Sequence, residues 1–199
     1  MLIENIKSSK EKCSITVDGN EHIIALEAAL TYKLKKGNSI SETEYRAMLE
    51  KSDGILCKAY LYKMIDRYLK TEKGYRDKLY QVGFHKKAVD NAIMSAKSYG
   101  YIDDKKYCEN FILQYKTKKG VNRLKQELQQ KGIKRELLSE LFETYQASEE
   151  AVDNLCNKYM KTKEKSFETK QKLYRHLLSK GFSYEEVSKA VNKCYNNAE

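Results

Sequence analysis

After residue 40 apolar positions recur at helical spacing between runs of Lys, Glu and Gln, and the pattern repeats on a longer period. Leu124 and Leu128 share one face of a short amphipathic helix, with Lys and Arg over much of the remainder. Gly132 follows as the left-handed residue that closes it, and Ile133 comes next, placed to contact Leu128 as in a Schellman cap. The same device stands at Leu79 to Phe84 and at Leu177 to Phe182. Gly83, Gly132 and Gly181 are spaced 49 residues apart. Tyr75, Leu124 and Leu173 keep that register, as do Val89, Leu138 and Val187, and Ile93, Phe142 and Val191. Apolar type held at several offsets through three copies identifies a tandem helical repeat.

Each copy reads as three helices. In the first they cover about 55–69, 72–82 and 85–99, with Thr71 capping the second and Gly74 a weak spot in its first turn. In the second they cover about 104–118, 121–131 and 134–146, starting from a cap at Asp103. In the third they cover about 148–162, 168–180 and 183–195, with Ser183 and Glu186 as a capping box. The leader is different. Residues 1–12 read as a strand or an arm, and Cys13 to Val17 alternate as a strand. Asp18-Gly19 signals a hairpin turn and 21–26 returns. A helix from Glu27 to about Lys35, ended by Gly37, and another from a Ser41/Glu44 capping box through Lys51 complete it. The expected fold is mainly α: tandem three-helix repeats in an elongated, curved array behind a small β-hairpin and α leader. The expected divisions are a leader over 1–54 and repeats over 55–101, 102–147 and 148–199.

Charge adds a partner class. The chain of 199 residues carries a net charge of +10, with 33% charged and 41% hydrophobic residues, no Pro and no Trp. Such a balance favours an acidic partner: nucleic acid, an anionic surface or an acidic protein face. Residues 116–135 hold eight Lys or Arg against the single acid Glu127, whereas 136–153 hold six acids and no base. Lys116, Lys118, Lys119, Arg123 and Lys125 should therefore meet on one basic face across the Lys119-Gly120 connection. Lys163, Lys165, Lys170, Lys172 and Arg175 offer a similar set in the third repeat. Most of the 16 Tyr read as core, and a minority such as Tyr115 as surfaces for stacking on a base or a partner.

Chemistry-bearing patterns are sparse. Five scattered Cys without a C-x-x-C pair and three scattered His argue against zinc. Cys108 and Cys156 read as small core side chains. No phosphate loop, G-x-S-x-G elbow or H-E-x-x-H helix occurs. Asp103-Asp104 at a helix start serves capping and the helix dipole. The expectation is a protein that is not an enzyme and needs no cofactor or metal. The second helices lack a repeated base-reading set of Asn and Gln, so sequence-specific DNA reading is not expected. Without a signal peptide or a spanning apolar run, reduced thiols in a cytoplasm are expected.

Gly100-Tyr101-Ile102-Asp103-Asp104, Tyr107, and Lys119-Gly120 with Arg123-Leu124, Glu127-Leu128 and Lys131-Gly132-Ile133 resemble the signature of the RecX regulatory proteins. Tyr75 to Leu79 with Gly83-Phe84, Leu173 to Arg175 with Leu178 and Gly181-Phe182, and Leu34 to Gly37 fit as well, so the likeness spans nearly the whole chain. The family often continues Lys-Gly with Pro and a second basic residue, where this chain has Val121 and Asn122. The resemblance implies tandem three-helix repeats and a monomer that binds the RecA recombinase filament on DNA and modulates it, usually by inhibition. The setting implied is DNA repair, homologous recombination and the SOS response, with weaker, salt-sensitive binding to single- or double-stranded DNA. A helical protein that binds DNA phosphates generally, or an adaptor whose charge serves only solubility, remain open from the residues alone.

Overall fold

The structure is a computed structural model that describes residues 1–143, 145 and 149–196. It forms two compact units, Met1–Asp103 and Asp104–Glu199. It is mainly helical, with a small antiparallel sheet at the N-terminus.

In the first unit the strands β1 (Ile3–Ser8), β2 (Lys12–Val17) and β3 (Asn20–Ala25) lie in that order. Asp18 (φ 45°) and Gly19 (φ 78°) take the left-handed pair that a two-residue hairpin needs. The expected hairpin thus becomes a three-stranded sheet, because residues 1–12 supply a paired strand instead of a free arm. Ile3, Cys13, Ile15, Val17 and Ile24 bury one face against Ala28, Ala29 and Met48. The first helix, α1 (Leu26–Thr31), is shorter than the sequence suggested. Lys33 (φ 49°) ends it, with its N–H donating to Leu30 O and the Leu34 N–H to Ala29 O. Gly37, expected to end it, instead donates to Ile3 O and lines the edge of β1.

The largest difference is α2 (Glu42–Ile65), one helix of 24 residues where the sequence pattern suggests two, split near residue 54. The Ser41/Glu44 capping box opens it as expected. Ser52-Asp53-Gly54 resembles a break, but each polar side chain serves another element. The Ser52 hydroxyl accepts from the Ala25 N–H at 2.8 Å, at the end of β3. The Asp53 carboxylate accepts from the His85 N–H at 3.1 Å, where the next helix pair turns. Gly54 costs a helix about 1 kcal/mol, which these contacts and the core on both halves outweigh. So α2 carries Met48 into the leader core and Cys57, Leu61 and Met64 into the core of the first repeat. That repeat is completed by α3 (Glu72–Val82), capped by Thr71 Oγ1 on Gly74 N, and α4 (Lys86–Ser98).

The second unit holds α5 (Asp104–Tyr115), α6 (Val121–Gln130), α7 (Arg135–Glu143), α8 (Glu149–Met160), α9 (Phe167–Ser179) and α10 (Tyr184–Asn196). The expected end of one helix at 146 and start of the next at 148 lie outside the described residues. Ser183 and Glu186 exchange capping-box bonds ahead of α10. Each repeat keeps a core of its own. Leu79, Leu128 and Leu177 are fully buried at equivalent positions, as are Tyr75, Leu124 and Leu173. Burying such side chains contributes roughly 1.5–3 kcal/mol each. Cys57, Cys108 and Cys156 are buried in the first helix of each repeat, none in a disulfide, and burial pushes Cys57 and Cys156 up to about 12.

The glycine caps hold the expected register. Gly83, Gly132 and Gly181 have φ of 103°, 88° and 89°. The Gly132 N–H donates to Gln129 O and the Ile133 N–H to Leu128 O, both bonds of a Schellman cap. Gly100 (φ 71°) forms a further cap of this kind after α4, with Tyr101 N–H donating to Ala96 O.

Candidate partner-binding surface

The basic stretch of the second repeat starts where α6 meets α9. Gly120 stands 49 residues after the Thr71 cap but has no side chain to cap with. Its N–H donates to Lys180 O at 3.0 Å, and the Asn122 N–H donates to Gly181 O at 3.1 Å. The orphan amides opening α6 are thus satisfied by the last carbonyls beyond α9, with the two helix dipoles head to tail. A Cβ on Gly120 would lie 2.3 Å from the backbone of Gly181 and Phe182. Gly120 has an ordinary φ of −75°, so space and not conformation demands glycine there.

This junction fixes the basic residues around it. Lys119 turns inward: its ammonium lies 4.0 Å from the centre of the Tyr115 ring and 2.5 Å from Glu127 Oε2, and its side chain is 23% exposed. Arg123 Nε donates to Glu127 Oε1 at 2.8 Å. The hydrogen bond from Lys119, joined by that from Arg123, holds the Glu127 carboxyl below its usual range against the opposing effect of burial. Glu127, the single acid of the basic run, therefore neutralises part of it. Lys125 leaves this group and reaches over the Phe142 ring at 5.2 Å. Lys116 and Lys118 remain exposed, with no acidic partner among the described residues. Of the five cations grouped by sequence, the structure joins Lys119 and Arg123 through Glu127, turns Lys125 elsewhere, and leaves Lys116 and Lys118 as open charge. Tyr115 is not a free stacking ring, since it packs 4.7 Å from Phe111 beneath Lys119.

In the third repeat, Lys163 lies over the Tyr159 ring at 3.3 Å, and Tyr159 packs 5.0 Å from His176. Burial, then Lys180 and Lys163, lowers the His176 pKa. Lys165 donates to Tyr195 O at 3.2 Å and Lys170 to Asn192 Oδ1 at 3.4 Å, both beside the Tyr195 ring. Lys172 pairs with Glu168 at 2.6 Å, one turn back in α9. Arg175 is exposed without an acidic partner among the described residues. Sequence reasoning found the charges but not the aromatic rings Tyr159 and Tyr195 that hold three of them. The weak signal for those rings was Tyr at both ends of the repeat. No group of three or more His, Cys, Asp or Glu among the described residues is arranged to hold a metal ion. No described helix is long and apolar enough to cross a membrane.

Residues 103–141 match the second three-helix domain of RecX, and residues 147–191 the third. "Regulatory protein RecX" of Clostridium botulinum (strain Eklund 17B / Type B) is 30% identical over 98% of this chain and 95% of its own length. Its namesake in Clostridium beijerinckii is 33% identical over 96% and 93%. The chain belongs to the RecX family. The RecX fold agrees with this: a crystal structure of regulatory protein RecX covers 96% of this chain and 98% of its own, with a TM-score of 0.71 at 20% identity. RecX from Lactobacillus salivarius covers 72% of this chain and 97% of its own, with a TM-score of 0.65 at 22% identity. Membership of this regulatory family accounts for the tandem three-helix domains and the near full-length likeness.

Proposed function

We propose that this protein binds the RecA recombinase filament on DNA and inhibits its ATP hydrolysis and strand exchange, acting in DNA repair, recombination and SOS control. The observation that carries the reading is the set of exposed, unpaired cations Lys116, Lys118 and Arg175 borne on the family's three-helix domains. Phosphates and acidic recombinase side chains are the groups such cations recognise, and they speed encounter at long range. Lys119, Arg123, Lys125, Lys163, Lys165, Lys170 and Lys172 add to the proposed set, with the charge of Lys119, Arg123 and Lys172 already matched within the fold. Tandem units spread contact along an extended partner, so inhibition requires occupancy and no catalytic residue. The protein acts as a cytoplasmic monomer without a cofactor on this reading.

The test is recombinase-driven ATP hydrolysis on single-stranded DNA, at a salt concentration where the protein alone no longer binds free DNA. Inhibition that persists there supports filament binding. Inhibition that vanishes together with free-DNA binding makes the protein a general binder of DNA phosphates.

A further inference from the structure

The first unit has a basic cavity outside every set of residues discussed above. It has a volume of about 640 Å³, and no acidic side chain lines it. Lys12 comes from β2, Lys63 and Arg67 from the end of α2 and just beyond, Lys70 from the turn before α3, and Lys78 from α3. None of the five has an acidic partner among the described residues. Arg46, Lys73, Arg76, Lys87 and Lys97 of this unit are each paired with a carboxylate. The cavity differs from other unpaired surface lysines in gathering five cations from several elements around one space. Cations near the C-terminus of α2 complement the helix dipole. That explains Lys63 and Arg67 but not why Lys12 and Lys78 converge from two other elements.

Two aromatic rings complete the site. Tyr60 is half-buried against Phe84, and Tyr68 stands 59% exposed at the cavity with Lys70 5.8 Å from its centre. The Tyr68 backbone is held in place, because its carbonyl accepts from the buried Tyr75 hydroxyl at 2.5 Å. An exposed ring on a held backbone, among unmatched cations, offers a base a stacking face and its phosphates a counter-charge. Duplex DNA keeps its bases stacked on one another and leaves such a ring unused.

We infer that this cavity is a binding site for single-stranded nucleic acid, taking the phosphates on Lys12, Lys63, Arg67, Lys70 and Lys78 and stacking a base on Tyr68. The site acts on free strand without the recombinase, so it stands or falls separately from filament inhibition.

The experiment is fluorescence anisotropy of labelled oligothymidylate of about a dozen nucleotides with the full chain and no recombinase. K63A/R67A should weaken binding about tenfold or more. It should also flatten the log–log salt slope by about 1.4, since each single-strand phosphate that is no longer neutralised removes about 0.7. K12A/K78A, from the opposite wall, should give the same change, so that a folding fault in one variant cannot imitate it. Y68A should weaken binding of the strand several-fold and leave an abasic strand of equal length unchanged. K35A/K36A, which removes two exposed charges outside the cavity in the same unit, should have little effect. Binding untouched by both cavity pairs overturns the site. Equal weakening by K35A/K36A overturns it in favour of net charge, and an abasic strand that binds as tightly as the thymidylate overturns the stacking.

Discussion

The second helices of the first and second repeats begin at equivalent positions in opposite ways. Thr71 caps α3 with its own hydroxyl, so that helix start is self-contained. Gly120 has nothing to cap with, and α6 begins on the carbonyls of Lys180 and Gly181 from the third repeat. The glycines that end the helices differ in parallel. A Cβ at Gly83 would meet nothing within 4 Å, whereas one at Gly181 would lie 2.3 Å from Arg123. One cap device thus serves a purely local purpose in the first unit and joins two repeats in the second. The second repeat borrows its helix start from its neighbour, so its order depends on that neighbour.

The comparison breaks hardest at the glycines. Gly181→Ala should destabilise the second unit by at least about 3 kcal/mol, since it adds backbone collision to the strain of positive φ. Gly83→Ala should cost about 1 kcal/mol, from φ alone. Urea unfolding with hydrogen exchange of α6 and α3 amides reads both, and equal costs would remove the distinction. Gly120→Thr, which copies the first repeat's cap, should also destabilise by about 3 kcal/mol, because its Cβ has no room. A stabilising Gly120→Thr would mean that α6 lacks a cap. Thr71→Ala should cost about 1 kcal/mol, the usual worth of a threonine cap, and should act on α3 protection.

Acid gives a smaller contrast. His176 has its folded pKa pulled below the ordinary value of about 6.5, chiefly by burial. The unfolded chain therefore binds more protons than the folded one between those two values. His176's contribution to stability is complete above about pH 6.5 and declines as pH falls through that window. The third repeat should begin to lose exchange protection as pH falls below about 6.5, and His176→Gln should remove that dependence. In the first unit Glu72 is raised by burial but lowered further by its hydrogen bonds to Lys97 and Arg76. Its folded pKa lies below the unfolded one, so its contribution holds above the carboxylate range near about pH 4 and is lost only as pH falls below it. Matching acid profiles for the two elements would contradict these assignments.

The repeats were legible because both their signals are local: a glycine closing a helix, and apolar residues in fixed register with it. The unbroken α2 was not, since Ser52 and Asp53 look like a break until β3 and His85 are present to use them. Gly120 was visible as part of a Lys-Gly motif, but its ordinary φ carries no hint of the crossing at Gly181. The basic stretch was visible as composition, yet composition could not tell that Glu127 draws in Lys119 and Arg123. Lys12 of the leader belongs to neither basic set that the sequence singles out, yet it joins a cavity with cations from α2 and α3.

These placements decide how the proposed function should be tested. Reversing Lys119 would set a second carboxylate against Glu127 and strain the fold, so it is a poor probe of surface charge. Lys116, Lys118 and Arg175 are exposed and unpaired, and reversals there should change stability little. Lys7, Lys35 and Lys36 are matched controls, exposed in the leader and outside the basic cavity. The decisive measurement is inhibition of recombinase ATP hydrolysis by K116E/K118E/R175E beside K7E/K35E/K36E, at salt that abolishes free-DNA binding. The account predicts that the first triple loses inhibition about tenfold or more while the second stays near the unmodified protein. Equal losses from the two triples, or none from the first, would contradict a repeat-borne surface.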